Sequence, residues 1–201
     1  MDRLATPLHC LDSHGLDYDT LILVDEADRE IGYLGKTECH QGAGVLHRAF
    51  SILIFNGRGE LLIQQRAAGK RLWPLYWSNT CCSHPRRDET MSQATHRRLK
   101  EELDLACPLR FLFKFRYQAQ FDTDGAENEI CSVYIGRSEG PVHPARGEIR
   151  AWRWISAADL QAALASDTEK FTPWFRLEWE RIMRDHSHEI APLTATSAFG
   201  E

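Results

Sequence analysis

The sequence predicts a single α+β domain, a mixed β-sheet sandwich flanked by helices. Three features point there: short β-branched and aromatic runs bounded by turns, helical patterns inserted among them, and no strict strand–helix alternation. The 201 residues suit one domain, and a chain this long buries about 70% of its unfolded surface. It needs neither disulfides nor a metal simply to fold.

Leu21–Asp25 and Ile31–Lys36 read as short strands. Leu46–Asn56 is apolar and β-branched, and the Asn56-Gly57 turn joins it to Glu60–Arg66, a strong hairpin signal. Trp73–Arg87 holds Pro74 and Pro85 and reads as an irregular loop. Thr90–Leu103 repeats apolar residues at helical spacing through Met91, Ala94, Thr95, Leu99 and Leu103. Phe111, Phe113, Phe115, Tyr117, Ala119 and Phe121 alternate with polar positions, the period of a half-buried strand. The turn Asp122–Gly125 leads to an antiparallel partner, Glu127–Gly136, and Glu148–Ile155 is a further strand with Trp152 and Trp154 on one face. Ser156 caps a short helix with Asp159 at the capping-box position. Thr172-Pro173 opens the last helix in the order N-cap, then proline. Residues 1–18 read as a loosely ordered extension, 19–186 as the domain, and 187–201 as a polar tail; His186 and His188, at that boundary, read as solvated.

With 24 Lys+Arg against 29 Asp+Glu the net charge is −5, which argues against the basic footprint of a nucleic-acid protein. No run of about 18 apolar residues or secretory h-region occurs, so a cytoplasmic protein without a membrane span is expected. The cysteines at 10, 39, 81, 82, 107 and 131 read as thiols or ligands rather than a disulfide framework. Six Trp, nine Phe and five Tyr hint at an aromatic-lined pocket. Oligomeric state leaves no mark in the pattern.

Ligand-type side chains concentrate in three stretches: His40 to His47, Cys81-Cys82-Ser83-His84, and Glu127-Asn128-Glu129. Glu127 and Glu129 are two apart on a strand and share a face. Paired carboxylates repel unless a cation or a shared proton compensates them. Three histidines and two carboxylates would suit Zn²⁺ or Mn²⁺ better than Ca²⁺. Each of these residues alone is more often solvated or hydrogen-bonded than a ligand. Arg98 and Glu102 stand four apart on the helix, where a solvated ion pair opposite Leu99 and Leu103 is the plain reading.

Taken in order, Leu46-His47-Arg48-Ala49-Phe50-Ser51, Gln64-Gln65-Arg66, Asn79-Thr80-Cys81-Cys82-Ser83-His84-Pro85, Glu127-Asn128-Glu129-Ile130 and Thr172-Pro173-Trp174-Phe175 resemble the type I isopentenyl-diphosphate Δ-isomerases, a Nudix-fold family. The likeness runs from about residue 21 to 180. It implies a Nudix-like sandwich that converts isopentenyl diphosphate, a small isoprenoid diphosphate, into dimethylallyl diphosphate. By that resemblance His40, His47, His84, Glu127 and Glu129 bind one divalent metal (Mn²⁺, Zn²⁺ or Mg²⁺), and Glu102 holds a Mg²⁺ that arrives with the diphosphate. Lys36, Arg66, Lys70 and Arg98 clamp the diphosphate. Cys82 and Glu129 form the acid/base pair, Tyr117 hydrogen-bonds near Glu129, and Trp174 faces the hydrocarbon. Glu129 is read as the acid and Cys82, as thiolate, as the base, although a reversible reaction lets the two roles exchange.

The chain departs from the family pattern in places. Arg98 stands where a Nudix hydrolase carries a metal-binding carboxylate, and Ser83 where the Nudix signature begins with Gly. Leu75 and Asp104 occupy positions where the isomerases usually have Gly. A diphosphate hydrolase and a zinc-stabilised module without catalysis remain as alternative readings.

Overall fold

The computed structural model describes residues 20–194; the expected extension 1–18 and residues 195–201 lie outside the described residues. The organising element is β3 (His47–Phe55), whose residues from Ala49 to Phe55 are all buried. A strand covered on both faces reads as a continuous apolar run, which is why this segment shows no alternation. Its odd positions Ala49, Leu53 and Phe55 enter one core and its even positions Phe50, Ile52 and Ile54 another.

Before β3 come β1 (Thr20–Val24), β2 (Glu30–Gly35) and a single helical turn, α1 (Lys36–Cys39). After it follow β4 (Leu61–Arg66), β5 (Trp77–Ser78), β6 (Cys81–Ser83), α2 (Met91–Leu103), β7 (Leu109–Phe121), β8 (Gly125–Arg137) and β9 (Ile149–Ile155). The described chain closes with α3 (Ala157–Ser166), a 3-10 turn (Thr168–Lys170), α4 (Pro173–Asp185) and α5 (Ser187–Thr194). The strands form one mixed sheet in which β3 runs parallel to β8 and antiparallel to β6. Helix α2 covers the even face of β3 through Ala94, Leu99 and Leu103. Helices α3, α4 and α5 cover the odd face through Leu160, Phe175, Trp179, Ile182 and Ile190. This is the expected α+β sandwich.

In the β3–β4 hairpin the Asn56 side chain accepts from the backbone of Arg58 (2.9 Å) and Glu60 (3.0 Å). Gly59, at φ +74, makes the left-handed step. Ser156 accepts from the Asp159 backbone at 3.1 Å, as its capping position predicts. Thr172 sits before Pro173, but its hydroxyl is hydrogen-bonded with that of Ser78 (2.9 Å) and makes no cap bond.

Four expectations need correction. The loop Trp73–Arg87 contains β5 and β6, too short to leave a periodic signal. A bulge at Leu112 in β7 buries both Leu112 and Phe113 and turns Phe111 outward, 48% exposed. Residues 187–194 are not a polar tail but α5, held by buried Ile190, and His186 stacks on Phe113 at 4.9 Å. Glu102 does not lie on a solvated face: it is 4% exposed and ion-paired to Arg98.

Candidate active site

Register builds the site. In the parallel β3–β8 ladder His47 pairs with Glu129, so their side chains stand side by side on one face. Glu127, two residues earlier on β8, shares that face. His40 follows the last residue of α1, and the antiparallel β3–β6 pairing delivers Cys82 opposite Ser51, with His84 just beyond the strand. Six side chains from four segments therefore converge.

The ligand atoms of His40, His47, His84, Glu127 and Glu129 all lie within 4.8 Å of one another. His40 donates through Nδ1 to the Lys36 carbonyl (2.6 Å) and His47 through Nδ1 to the Val45 carbonyl (2.8 Å). Each thus turns Nε2 towards the carboxylates, the orientation that metal-binding histidines take from their outer partners. His40 Nε2 is 2.8 Å from Glu127 Oε2, and His84 Nε2 is 3.0 Å from Glu129 Oε1. His47 Nε2 and Glu127 Oε2 are buried without a well-aligned hydrogen bond, although Glu129 Oε1 lies 3.4 Å from the first and His40 Nε2 2.8 Å from the second. Polar atoms so poorly satisfied are costly in a folded interior. The cluster could hold one divalent cation, and its donor set fits one.

A cavity of about 250 Å³ opens beside this cluster. Cys82, Tyr117, Glu129 and Trp174 line it, as do His40, His84 and Glu127. Lys36, Arg66, Lys70 and Arg98 gather on its wall. Two expected site residues stay off that wall: His47 is fully buried behind the cluster, and Glu102 lies behind Arg98. Thr37, Gly69, Arg71 and Leu72 line the cavity without having been read from the sequence. Arg71 alone among them carried a signal, as a basic residue beside Lys70; it bonds the carbonyls of Thr37 (3.1 Å) and Asp124 (2.6 Å).

Tyr117 donates to Glu129 Oε2 at 2.7 Å. Burial pushes Glu129 up, but His47, Tyr117 and His40 outweigh it and hold the carboxyl below its usual range. Burial pushes the Cys82 thiol up to about 12, although Arg66 opposes the shift. Tyr117 is raised by burial and by the Glu129 charge, so it stays a phenol. Trp174 is fixed by its indole N–H, which reaches Ser78 Oγ (3.1 Å) and Asn79 Oδ1 (3.2 Å). The Arg66 guanidinium lies over the same ring at 5.3 Å. Arg66 also donates to the carbonyls of Leu72 (2.9 Å) and Trp73 (3.0 Å), so it shapes the loop as well as the cavity. Lys70, desolvated by burial, falls to about 8.

The NUDIX domain family matches residues 45–175. A MutT protein from Methanosarcina mazei Go1 shares the fold with a TM-score of 0.58 and 19% identity, covering 69% of this chain and 94% of that one. A crystal structure of DR0079 from Deinococcus radiodurans gives a TM-score of 0.67 at 24% identity, covering 81% of this chain and 98% of that one. The curated relatives carry more detail. The Isopentenyl-diphosphate Delta-isomerase 1 of Photorhabdus laumondii is 41% identical over 86% of this chain and 99% of its own. The Isopentenyl-diphosphate Delta-isomerase of Burkholderia multivorans is 45% identical over 81% of this chain and 92% of its own. That of Serratia proteamaculans is 42% identical over 89% and 99%. With a Nudix sheet beneath the site and identity of this extent along nearly the whole of each relative, the chain belongs to the isopentenyl-diphosphate Delta-isomerase family of NUDIX-domain proteins.

Proposed function

We propose that this cavity converts isopentenyl diphosphate to dimethylallyl diphosphate, with Cys82 and Glu129 as its acid/base pair. One observation carries the reading: a single cavity is walled by the Cys82 thiol, by the Glu129–Tyr117 pair and by four cations. Lys36, Arg66, Lys70 and Arg98 supply charge-assisted donors for a diphosphate. Tyr117, Trp174 and Leu72 leave an apolar side for a five-carbon chain.

Protonating an unactivated alkene gives a tertiary carbocation, and loss of an allylic proton quenches it. An acid and a base are both required. Trp174 presents a ring to that cation, and a desolvated cation–π contact is worth about 2 kcal/mol or more. Enclosure matters equally, since water would trap the cation as an alcohol. His40, His47, His84, Glu127 and Glu129 would hold one divalent metal. Its charge beside Glu129 would make that residue's acid form a stronger donor. The family resemblance gives Glu102 the Mg²⁺ that accompanies the diphosphate, a hard cation suited to carboxylate and phosphate oxygens, but here Glu102 lies behind Arg98, off the cavity wall.

With Glu129 as donor and Cys82 as acceptor, a forward turnover ends with an ionised Glu129 and a Cys82 thiol. That is the protonation pattern which burial and hydrogen bonding favour here. A proton must then return from Cys82 to Glu129 before the next forward turnover. Tyr117, bonded to Glu129 at 2.7 Å, stands at the Glu129 end of that return. The reverse reaction uses the same groups in the opposite order.

Cys82→Ala tests the pair. Turnover should fall about 10²–10⁴-fold, the range for losing a positioned acid or base, with the melting temperature little changed. Glu129→Gln should be inactive and should also bind less metal, so metal content is measured beside rate. Full isomerase activity in Cys82→Ala would contradict the assignment.

A further inference from the structure

Lys70 and Arg98 come from different parts of the fold, the loop after β4 and the middle of α2, yet both face one cavity. A single carboxylate joins them. Glu148 pairs through Oε2 with Lys70 Nζ and through Oε1 with Arg98 (3.2 Å). Its own backbone is tied to both elements. The Ala67 N–H donates to the Glu148 carbonyl (2.9 Å), three residues before Lys70. The Glu148 N–H donates to the Ala145 carbonyl (2.9 Å), and the Ala145 N–H donates to that of Glu102 (2.8 Å), one helical turn beyond Arg98. Glu148 does not line the cavity that its two partners line. It holds them from behind and leaves their cavity side to a ligand.

We propose that Glu148 is a positioning residue that fixes Lys70 and Arg98 as one two-pronged phosphate clamp. The physical need is plain. Lys36, Arg66, Lys70 and Arg98 crowd a partly desolvated site, where like charges repel strongly. Without an anion behind them, the flexible Lys70 would swing towards solvent, and each diphosphate would have to reorder it on binding. A carboxylate held by both flanking segments lets the pair be ordered in advance, which improves affinity without touching the reacting carbons. Glu148 should therefore act on binding and not on the chemical step.

This inference rests on the reading that Lys70 and Arg98 bind the diphosphate, so the experiment separates the two. The metal-loaded enzyme is assayed with isopentenyl diphosphate and Mg²⁺, and inorganic pyrophosphate is titrated as a competing anion. Glu148→Gln should raise KM and the pyrophosphate inhibition constant together by about tenfold, equivalent to ~1.4 kcal/mol, with kcat nearly kept. Glu148→Asp keeps the charge with a shorter reach and should raise the same two constants less; it carries the test alone if Glu148→Gln does not fold. Lys70→Met is the control for the underlying reading and should weaken pyrophosphate inhibition. If Lys70→Met weakens inhibition while the Glu148 variants leave it unchanged, Glu148 has no positioning role and the clamp reading survives. Tighter pyrophosphate inhibition in Glu148→Gln would overturn the inference too, because Glu148 would then act only as a repelling charge. Loss of kcat equal to the change in KM would mark a merely structural role. If Lys70→Met leaves inhibition untouched, the clamp reading itself fails, and the inference with it.

Discussion

Leu75 and Asp104 stand where the isomerases usually carry glycine, and both adopt the left-handed backbone that glycine favours, with φ of 66° and 59°. Asp104 tolerates this as a helix C-cap and pairs with Lys100 and His143. Leu75 caps no helix and its side chain is 42% exposed; it is held there by hydrogen bonds from its N–H to the Arg66 carbonyl (3.2 Å) and from the Gln65 side chain to its own carbonyl (2.9 Å). Leu75→Gly should relieve ~1–2 kcal/mol of strain, less ~0.4–1 kcal/mol for the freer unfolded chain. The net of about 0–1.6 kcal/mol corresponds to a rise in melting temperature of up to about 6 °C, read by thermal denaturation, and Asp104→Gly should gain less. No rise in Leu75→Gly would mean that the surrounding loop sets the conformation at no cost. At this scale the sequence was legible where chemistry is local. The Cys81-Cys82-Ser83-His84 segment and the Glu127/Glu129 pair stand out by residue type and spacing, and the family resemblance is what reads them as a site. Glu148 does not stand out, because its partner Lys70 is 78 residues away and only the fold joins them.

Helix α4 shows what a single element adds. Trp174, Phe175, Glu178, Trp179 and Ile182 are its buried residues, so a carboxyl sits within the apolar stripe. Burial pushes Glu178 up to about 8; Ser51 opposes this and the Glu129 charge adds to it. One of its oxygens has no hydrogen-bond partner. The folded state therefore keeps a proton that the unfolded chain releases near 4.5. Stability from this group is complete below 4.5 and is lost as pH rises to about 8. Glu178→Gln cannot ionise, so its advantage over the parent should be small at pH 5 and should widen by several °C at pH 8. A constant difference across that range, measured by thermal melts, would contradict the buried neutral acid. The long elements were readable because period two and period 3.6 need several residues to declare themselves. The four residues of α1, the two of β5 and the three of β6 are too short to do so. α5 escaped notice because its one buried apolar side chain, Ile190, is set among polar residues and Pro192.

For the whole molecule, the net charge of −5 does not place the acid away from the basic pocket: Glu101, Glu102 and Glu148 stand directly behind its cations. Acid and base are layered, with the positive layer facing inward to the cavity. The surplus of aromatic residues is only partly spent on the site: Tyr117 and Trp174 line the cavity, and Trp73 packs edge-on against Trp174 at 5.3 Å. Others such as Phe50, Phe55 and Phe175 fill the two cores beside the sheet. Among the described residues no helix is long and apolar enough to cross a membrane. The fold thus brings the Cys82 thiol, the Glu129–Tyr117 pair, a cluster that could hold a metal and four cations to one cavity. The most direct measurement incubates the metal-loaded protein with isopentenyl diphosphate and Mg²⁺ and follows the product by NMR. Dimethylallyl diphosphate should accumulate with no phosphate released; release of phosphate or pyrophosphate without the isomer would contradict the proposed isomerisation.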